Sequence, residues 1–148
     1  MLRDLDVLCR LHQEASVHVY FSIPFSDDEV ARKVEPHAPS SRKRFEAMAT
    51  LANAGIPTGI SLSPIIPGLN DEDMPELLAR AKQAGAVEAM ATLLRLSGSV
   101  EPVFMERMAA AFQIESPRSR IRFGMCVVAR SARGPSLNAI VAQAPIGL

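Results

Sequence analysis

A few side chains in this sequence are of types that do chemistry, and their spacing puts several of them at strand ends. Ser22, Ser63 and Arg95 fall at or near the C-terminal ends of predicted strands, where parallel α/β folds meet their ligands. A serine hydroxyl there can hydrogen-bond a ribose or a carboxylate. It can equally bond back to its own backbone. Arg44 lies in the first turn of a predicted helix, where a positive charge opposes the helix dipole. That conflict is relieved if the guanidinium has an anionic partner. His18, Tyr20 and His37 have side chains suited to proton transfer, although a histidine on a strand commonly serves structure alone. The sequence has no Walker loop, no Gly-x-Gly-x-x-Gly, no His-Glu-x-x-His and no nucleophile elbow. Its two cysteines, Cys9 and Cys126, form no Cys-x-x-Cys pair and no metal-spaced set. Cys9 falls on an apolar helical face, where a free thiol acts as a small core residue.

These residues need elements to hold them. Residues 2–14 carry Leu5, Leu8, Cys9 and His12 at i, i+3, i+4 and i+7, the spacing of one helical face. VHVYFSI, residues 17–23, alternates as a strand. His18, Tyr20 and Ser22 share one face, and Val17, Val19, Phe21 and Ile23 share the other. A short helix is predicted over about 27–33, then a Pro-containing loop, EPHAPSS, whose Ser40 or Ser41 caps a helix running to Ala54. Phe45, Met48, Ala49 and Ala52 form its apolar stripe, and Gly55 stops it. TGISLSP, residues 58–64, is a second strand with Gly59, Ser61 and Ser63 on one face. Helix 72–84, strand 88–96 and helix 101–112 complete the series. Met74, Leu77, Leu78 and Ala81 line the first of these helices, and Phe104, Met108, Ala111 and Phe112 the second.

Helices between consecutive strands imply parallel pairing through right-handed crossovers. A doubly wound sheet covered by helices on both faces should be apolar on both. Two of these strands instead carry small or polar residues along one whole face, which favours an open or wide barrel. Residues 113–148 lack a sustained period and form a divergent tail after the 1–112 unit, with one candidate strand at 123–129.

Composition excludes some classes of function. Apolar residues make up 48% of the 148, enough for a folded core. Sixteen basic residues balance sixteen acidic ones, so there is no global pull toward nucleic acid or anionic membrane. The Arg42–Lys43–Arg44 run is short, and aromatics at 5% do not furnish a base-stacking groove. No window approaches the roughly 20 apolar residues of a membrane span. The charged N-terminus lacks a signal core, and sparse cysteines suit a reducing cytoplasm.

The segments VYFSI, EPHAPSSRKRFEAMATLANAGIPTGISLSPIIPGLND and LLRL, with the helix ending AAAF, resemble the radical S-adenosylmethionine (SAM) superfamily. They look closest to its spore photoproduct lyase-like, or DNA repair photolyase-like, branch. The resemblance implies a partial (β/α)6 barrel of which these strands are the fourth, fifth and sixth, roughly its second half. It implies S-adenosylmethionine and a [4Fe-4S] cluster as cofactors, the cluster held by a Cys-x-x-x-Cys-x-x-Cys loop after the first strand. Reductive cleavage of the cofactor would then yield a 5′-deoxyadenosyl radical. By position, Ser22 matches a cofactor-contacting residue of the fourth strand and Arg44 the basic residue that reaches the methionine carboxylate, for which a guanidinium is well shaped. Ser63 and Pro64 match the strand edge near the ribose. Leu94, Arg95 and Leu96 match the strand end where backbone meets adenine.

The cluster loop has no counterpart here, because neither Cys9 nor Cys126 replaces three clustered thiolates. The expectation is a C-terminal fragment, inactive alone, from a truncated or frameshifted gene or gene model. It would need a separate chain carrying the N-terminal half, or would self-associate through an exposed first-strand edge. The competing readings are a small α/β binding or interaction protein without catalysis, and an unrelated half-barrel.

Overall fold

Two helices end on the same dipeptide, Ala54–Gly55 and Ala84–Gly85, and each hands the chain to a strand. Both glycines have positive φ, 82° and 87°, the left-handed conformation that closes a helix and that other residues resist. In the computed structural model of the protein, residues 2–112 and 144–145 are described. After a 3₁₀ turn at Leu2–Asp4, the order is α1 (Leu5–Glu14), β1 (Val19–Ser22), α2 (Asp28–Val34), α3 (Ser41–Asn53), β2 (Thr58–Ile65), α4 (Met74–Gln83), β3 (Ala86–Leu93), α5 (Val100–Phe112) and β4 (Ala144–Pro145).

The first three strands pair in parallel in the order β1-β2-β3. The α/β class with a parallel sheet is therefore as expected, and three parallel strands are consistent with part of a barrel. The two-residue β4 lies antiparallel on the far side of β3, matching Glu88 with Pro145 and Ala89 with Ala144.

Strand alternation divides the residues between two faces. Phe21, Ile23, Ile60 and Leu62 lie on the face that packs against Phe45, Met48 and Leu51 of α3 and Leu77 and Ala81 of α4. Leu5, Leu8 and Cys9 of α1 pack against the same core. Full burial of residues such as Ile60, Met48 and Leu51 stabilises by roughly 1.5–3 kcal/mol each. The opposite face carries two cross-strand rows, Tyr20–Gly59–Glu88 and Ser22–Ser61–Met90. A second, smaller core continues beyond the strand ends. Phe25, Ile66 and Met108 are buried there, with Val30 and Val34 of α2 and Phe104 of α5 packed on them.

Several expectations are corrected in detail. The third strand begins at Ala86 and ends at Leu93, not 88–96. It starts early because Gly85 turns the chain straight into the sheet. It stops because β2 ends at Ile65, whose carbonyl takes the last rung from the Leu94 amide (2.8 Å). The first strand shortens to Val19–Ser22. Helix α4 begins at Met74 rather than 72, with Pro75 in its first turn. Asp73, at its N-cap position, makes no capping bond; its carboxylate accepts from the Ser26 amide instead (3.0 Å). In α3 the buried stripe is Phe45, Met48 and Leu51, with Ala49 and Ala52 only half-buried. The candidate strand 123–129 lies outside the described residues, as does the tail apart from β4.

Candidate functional site

The start of α3 is tied to the segment that follows β1. Ser40 caps α3, its hydroxyl accepting from the Lys43 amide, and Ser41 is buried, donating its hydroxyl to the Phe25 carbonyl (2.7 Å). The Ser41 amide donates to Asp28 Oδ1 (2.8 Å). These bonds fix the start of α3 beside the β1 end and bring Arg44 beneath Ser22.

All three guanidinium nitrogens of Arg44 are engaged inside the chain. Nη1 donates to the Ser22 carbonyl, Nε to the Pro39 carbonyl (2.9 Å) and Nη2 to Glu35 Oε2 (2.8 Å). The anionic partner anticipated for this arginine is present, and it is Glu35. The Arg44 side chain is 15% exposed and that of Glu35 33%, so the pair is sheltered more than an ordinary surface bridge. A cleft of about 160 Å³ opens beside them, lined by Asp28, Arg32, Glu35 and Ser40 among others. Replacing Arg44 with Gln removes a charged hydrogen-bond hub and should cost about 2 kcal/mol. Glu35→Gln, which leaves the two carbonyl bonds, should cost less than about 1 kcal/mol. Urea denaturation of both variants checks the ranking.

Ser22 is exposed, and its hydroxyl donates to the Ser63 carbonyl (3.2 Å). The Ser63 hydroxyl accepts from the Thr92 amide (3.1 Å). The two serines and Arg44 are therefore brought together at neighbouring strand ends. Pro64 follows a cis Ser63–Pro64 bond, and its carbonyl accepts from Asn70. Leu94, Arg95 and Leu96 sit beyond the end of β3. Leu94 packs into the second core, Arg95 is exposed and Leu96 half-buried. His37 is exposed in the loop between α2 and α3. His12, expected on the apolar face of α1, accepts at Nδ1 from the Val17 amide (3.3 Å).

Sequence reasoning missed Asn70. It is 2% exposed and joins the loops after β1 and β2. Its Oδ1 accepts from the Ile66 amide (2.6 Å), and its Nδ2 donates to the carbonyls of Pro24 (2.7 Å) and Pro64 (3.1 Å). The one sequence signal for it is its place just after the Pro67–Gly68 turn, where side-chain amides often bond to nearby backbone.

Deeper on the polar face, the Tyr20 hydroxyl donates to Glu88 Oε2. The strand residues described on this face also include Ser61, Ser63, Met90 and Thr92, and none of them is an arginine or a lysine. No group of three or more His, Cys, Asp or Glu among the described residues could hold a metal ion. No helix among them is long and apolar enough to cross a membrane.

Comparison with known proteins adds three findings. The family model described as the Radical SAM superfamily matches residues 1–81. Uncharacterized proteins of Mycobacterium tuberculosis and Mycobacterium bovis are each 31% identical over 111 residues, covering 74% of this chain and 33% of the relative. An uncharacterized protein of Methanocaldococcus jannaschii is 35% identical over 71 residues, covering 48% of this chain and 26% of the relative. The chain thus spans about a third, or less, of the length of these curated relatives. No solved structure matches it significantly.

Proposed function

Because the chain belongs to the radical SAM superfamily, we propose that it supplies the S-adenosylmethionine-cradling half of a radical enzyme's barrel. The observation that carries this reading is the meeting of Ser22, Ser63 and Arg44 at adjacent strand ends, beside a sheet face of mostly small or polar residues. Ser22, Ser63 and Pro64 would hold the ribose edge, and Leu94, Arg95 and Leu96 the adenine. Arg44 would reach the methionine carboxylate by exchanging Glu35 for it, a like-for-like swap of carboxylates on one guanidinium. When bound with a reduced cluster, S-adenosylmethionine supplies the radical chemistry; these residues bind and orient it.

The chain's own residues do not fit the cluster. Cys9 lies half-buried on α1 against the helix-side core, and one such thiol is not a three-thiolate site. The cluster therefore belongs to a segment outside these residues. A segment that pairs with the β1 edge is best placed to complete the barrel, either within a longer protein or from a second chain. The spore photoproduct lyase-like branch is proposed on the run from Glu35 to Asp71, with its Glu-Pro-His-Ala-Pro, Ala-Gly-Ile-Pro and Pro-Ile-Ile-Pro-Gly-Leu-Asn-Asp pieces. Radical chemistry on a DNA photoproduct is the corresponding activity.

A second reading has its own observation. With all three nitrogens of Arg44 already bonded, the same geometry suits a binding module without catalysis. Co-expression with a segment carrying the cysteine loop separates the two. The first reading expects iron, the visible absorption of a cluster, and S-adenosylmethionine binding by calorimetry that weakens about tenfold or more in Arg44→Gln. A folded, cluster-bearing complex that does not bind S-adenosylmethionine leaves the second reading standing.

A further inference from the structure

We propose that Glu35 is a built-in competitor for the ligand carboxylate, and that Arg32 receives it when the ligand takes Arg44. This rests on reading Arg44 as the group that reaches the methionine carboxylate, and adds how access to that group is governed. Both members of the Arg44–Glu35 pair sit where their own helices disfavour them. Arg44 lies in the first turn of α3 and Glu35 at the C-terminal cap of α2, each at a helix end of its own sign. Their bond (2.8 Å) relieves both conflicts. A ligand carboxylate can replace Glu35 on the guanidinium, but the displaced side chain then needs a new partner at the end of α2.

Arg32 is placed to be that partner. It lies in the last turn of α2, three residues before Glu35, a spacing that puts two side chains on one helix face. It lines the same cleft of about 160 Å³ as Glu35 and Arg44. Its Nε donates to the Asp28 carbonyl (3.0 Å), and its two Nη nitrogens have no bonding partner among the described residues. The Asp28 carboxylate is turned to the Ser41 amide (2.8 Å). Lys33, the other cation of that turn, lies over the Phe112 ring, 5.3 Å from its centre.

Glu35 thus has two arginines on its cleft, one bonded and one open. Arg44 keeps its bonds to the Ser22 and Pro39 carbonyls in either arrangement, so its guanidinium stays in place while the carboxylate on Nη2 changes. A latch of this kind lowers apparent affinity by one plus the ratio of latched to released protein. For a pair so little exposed, that factor is about three to five.

The complex with the cysteine-loop segment is titrated with S-adenosylmethionine by calorimetry. Glu35→Gln should bind about three- to fivefold more tightly than the parent. Arg32→Gln should bind about twofold more weakly, and that loss should vanish when Glu35→Gln is also present. 5′-Methylthioadenosine, which lacks the carboxylate, should bind all these proteins alike. The side-chain carboxyl resonance of Glu35 is a second readout. Arg32→Gln should leave it unmoved without ligand and shift it in the S-adenosylmethionine complex. Equal affinity of the parent and Glu35→Gln overturns the latch, as does tightening that extends to 5′-methylthioadenosine. An Arg32→Gln loss that persists in the double variant makes Arg32 a direct ligand contact and overturns its role as receiver. If Arg44→Gln weakens S-adenosylmethionine binding while Glu35→Gln changes nothing, the latch alone falls. If nothing binds, or Arg44→Gln binds as the parent does, the reading of Arg44 falls and the latch with it.

Discussion

Asn70→Ala will lower the unfolding free energy by about 3–5 kcal/mol, the larger part of the stability of many small domains. The side chain is buried and makes three hydrogen bonds to backbone groups of the loop after β1, the end of β2 and the loop that follows it. Truncation leaves one amide and two carbonyls without that partner in a site water reaches poorly, each at a cost of about 1–3 kcal/mol. Asn70→Asp separates bonding from packing. It keeps an oxygen for the Ile66 amide but turns a carboxylate oxygen toward the Pro24 and Pro64 carbonyls, so it should destabilise at least as much. Chemical denaturation of both variants is the measurement. Equal stability of Asn70→Ala and the parent would mean that the loops hold each other without this amide. Because the loops it ties follow β1 and β2, the S-adenosylmethionine binding proposed above for the Ser22 and Ser63 strand ends should weaken in parallel.

Phe25→Ala should cost about 3–5 kcal/mol, the range for emptying a buried aromatic site. Phe25 is 1% exposed and anchors the second core between α2 and α5. Its effect should be local as well as global. The main core is built on different residues, Phe21, Ile23, Ile60 and Met48 among them. Hydrogen exchange should therefore rise first in α2 and α5 and later in α3 and β2. Uniform loss of protection across all elements would show that the two cores melt as one.

The sheet and its faces were legible in the sequence because alternation along a strand is a local signal. His18, Tyr20 and Ser22 fall opposite Phe21 and Ile23 by counting alone. Helix ends were legible where glycine followed an apolar stripe, as at Gly55 and Gly85. Contacts between residues distant in sequence were not. Asp73 gives up its helix cap for the Ser26 amide, 47 residues away, and no propensity reports that choice. Glu35 satisfies Arg44 from nine residues before it, through a loop whose path only the fold defines. The Tyr20–Glu88 bond spans 68 residues and depends on what is missing at Gly59. Sequence could mark that glycine as small but not say which ring crosses over it.

The short strand on β3 has a consequence for how copies of this chain can associate. Its pairing at Glu88 and Ala89 occupies the middle of one sheet edge and ends it with a proline, which has no amide hydrogen to offer a further strand. Among the described residues, the β1 edge carries no strand pairing on its outer side. Two molecules can join through that edge about a twofold axis, and such a contact closes on itself. Fibre growth needs a donor edge and a different acceptor edge on every copy, so association through the β1 edge alone should stop at a pair.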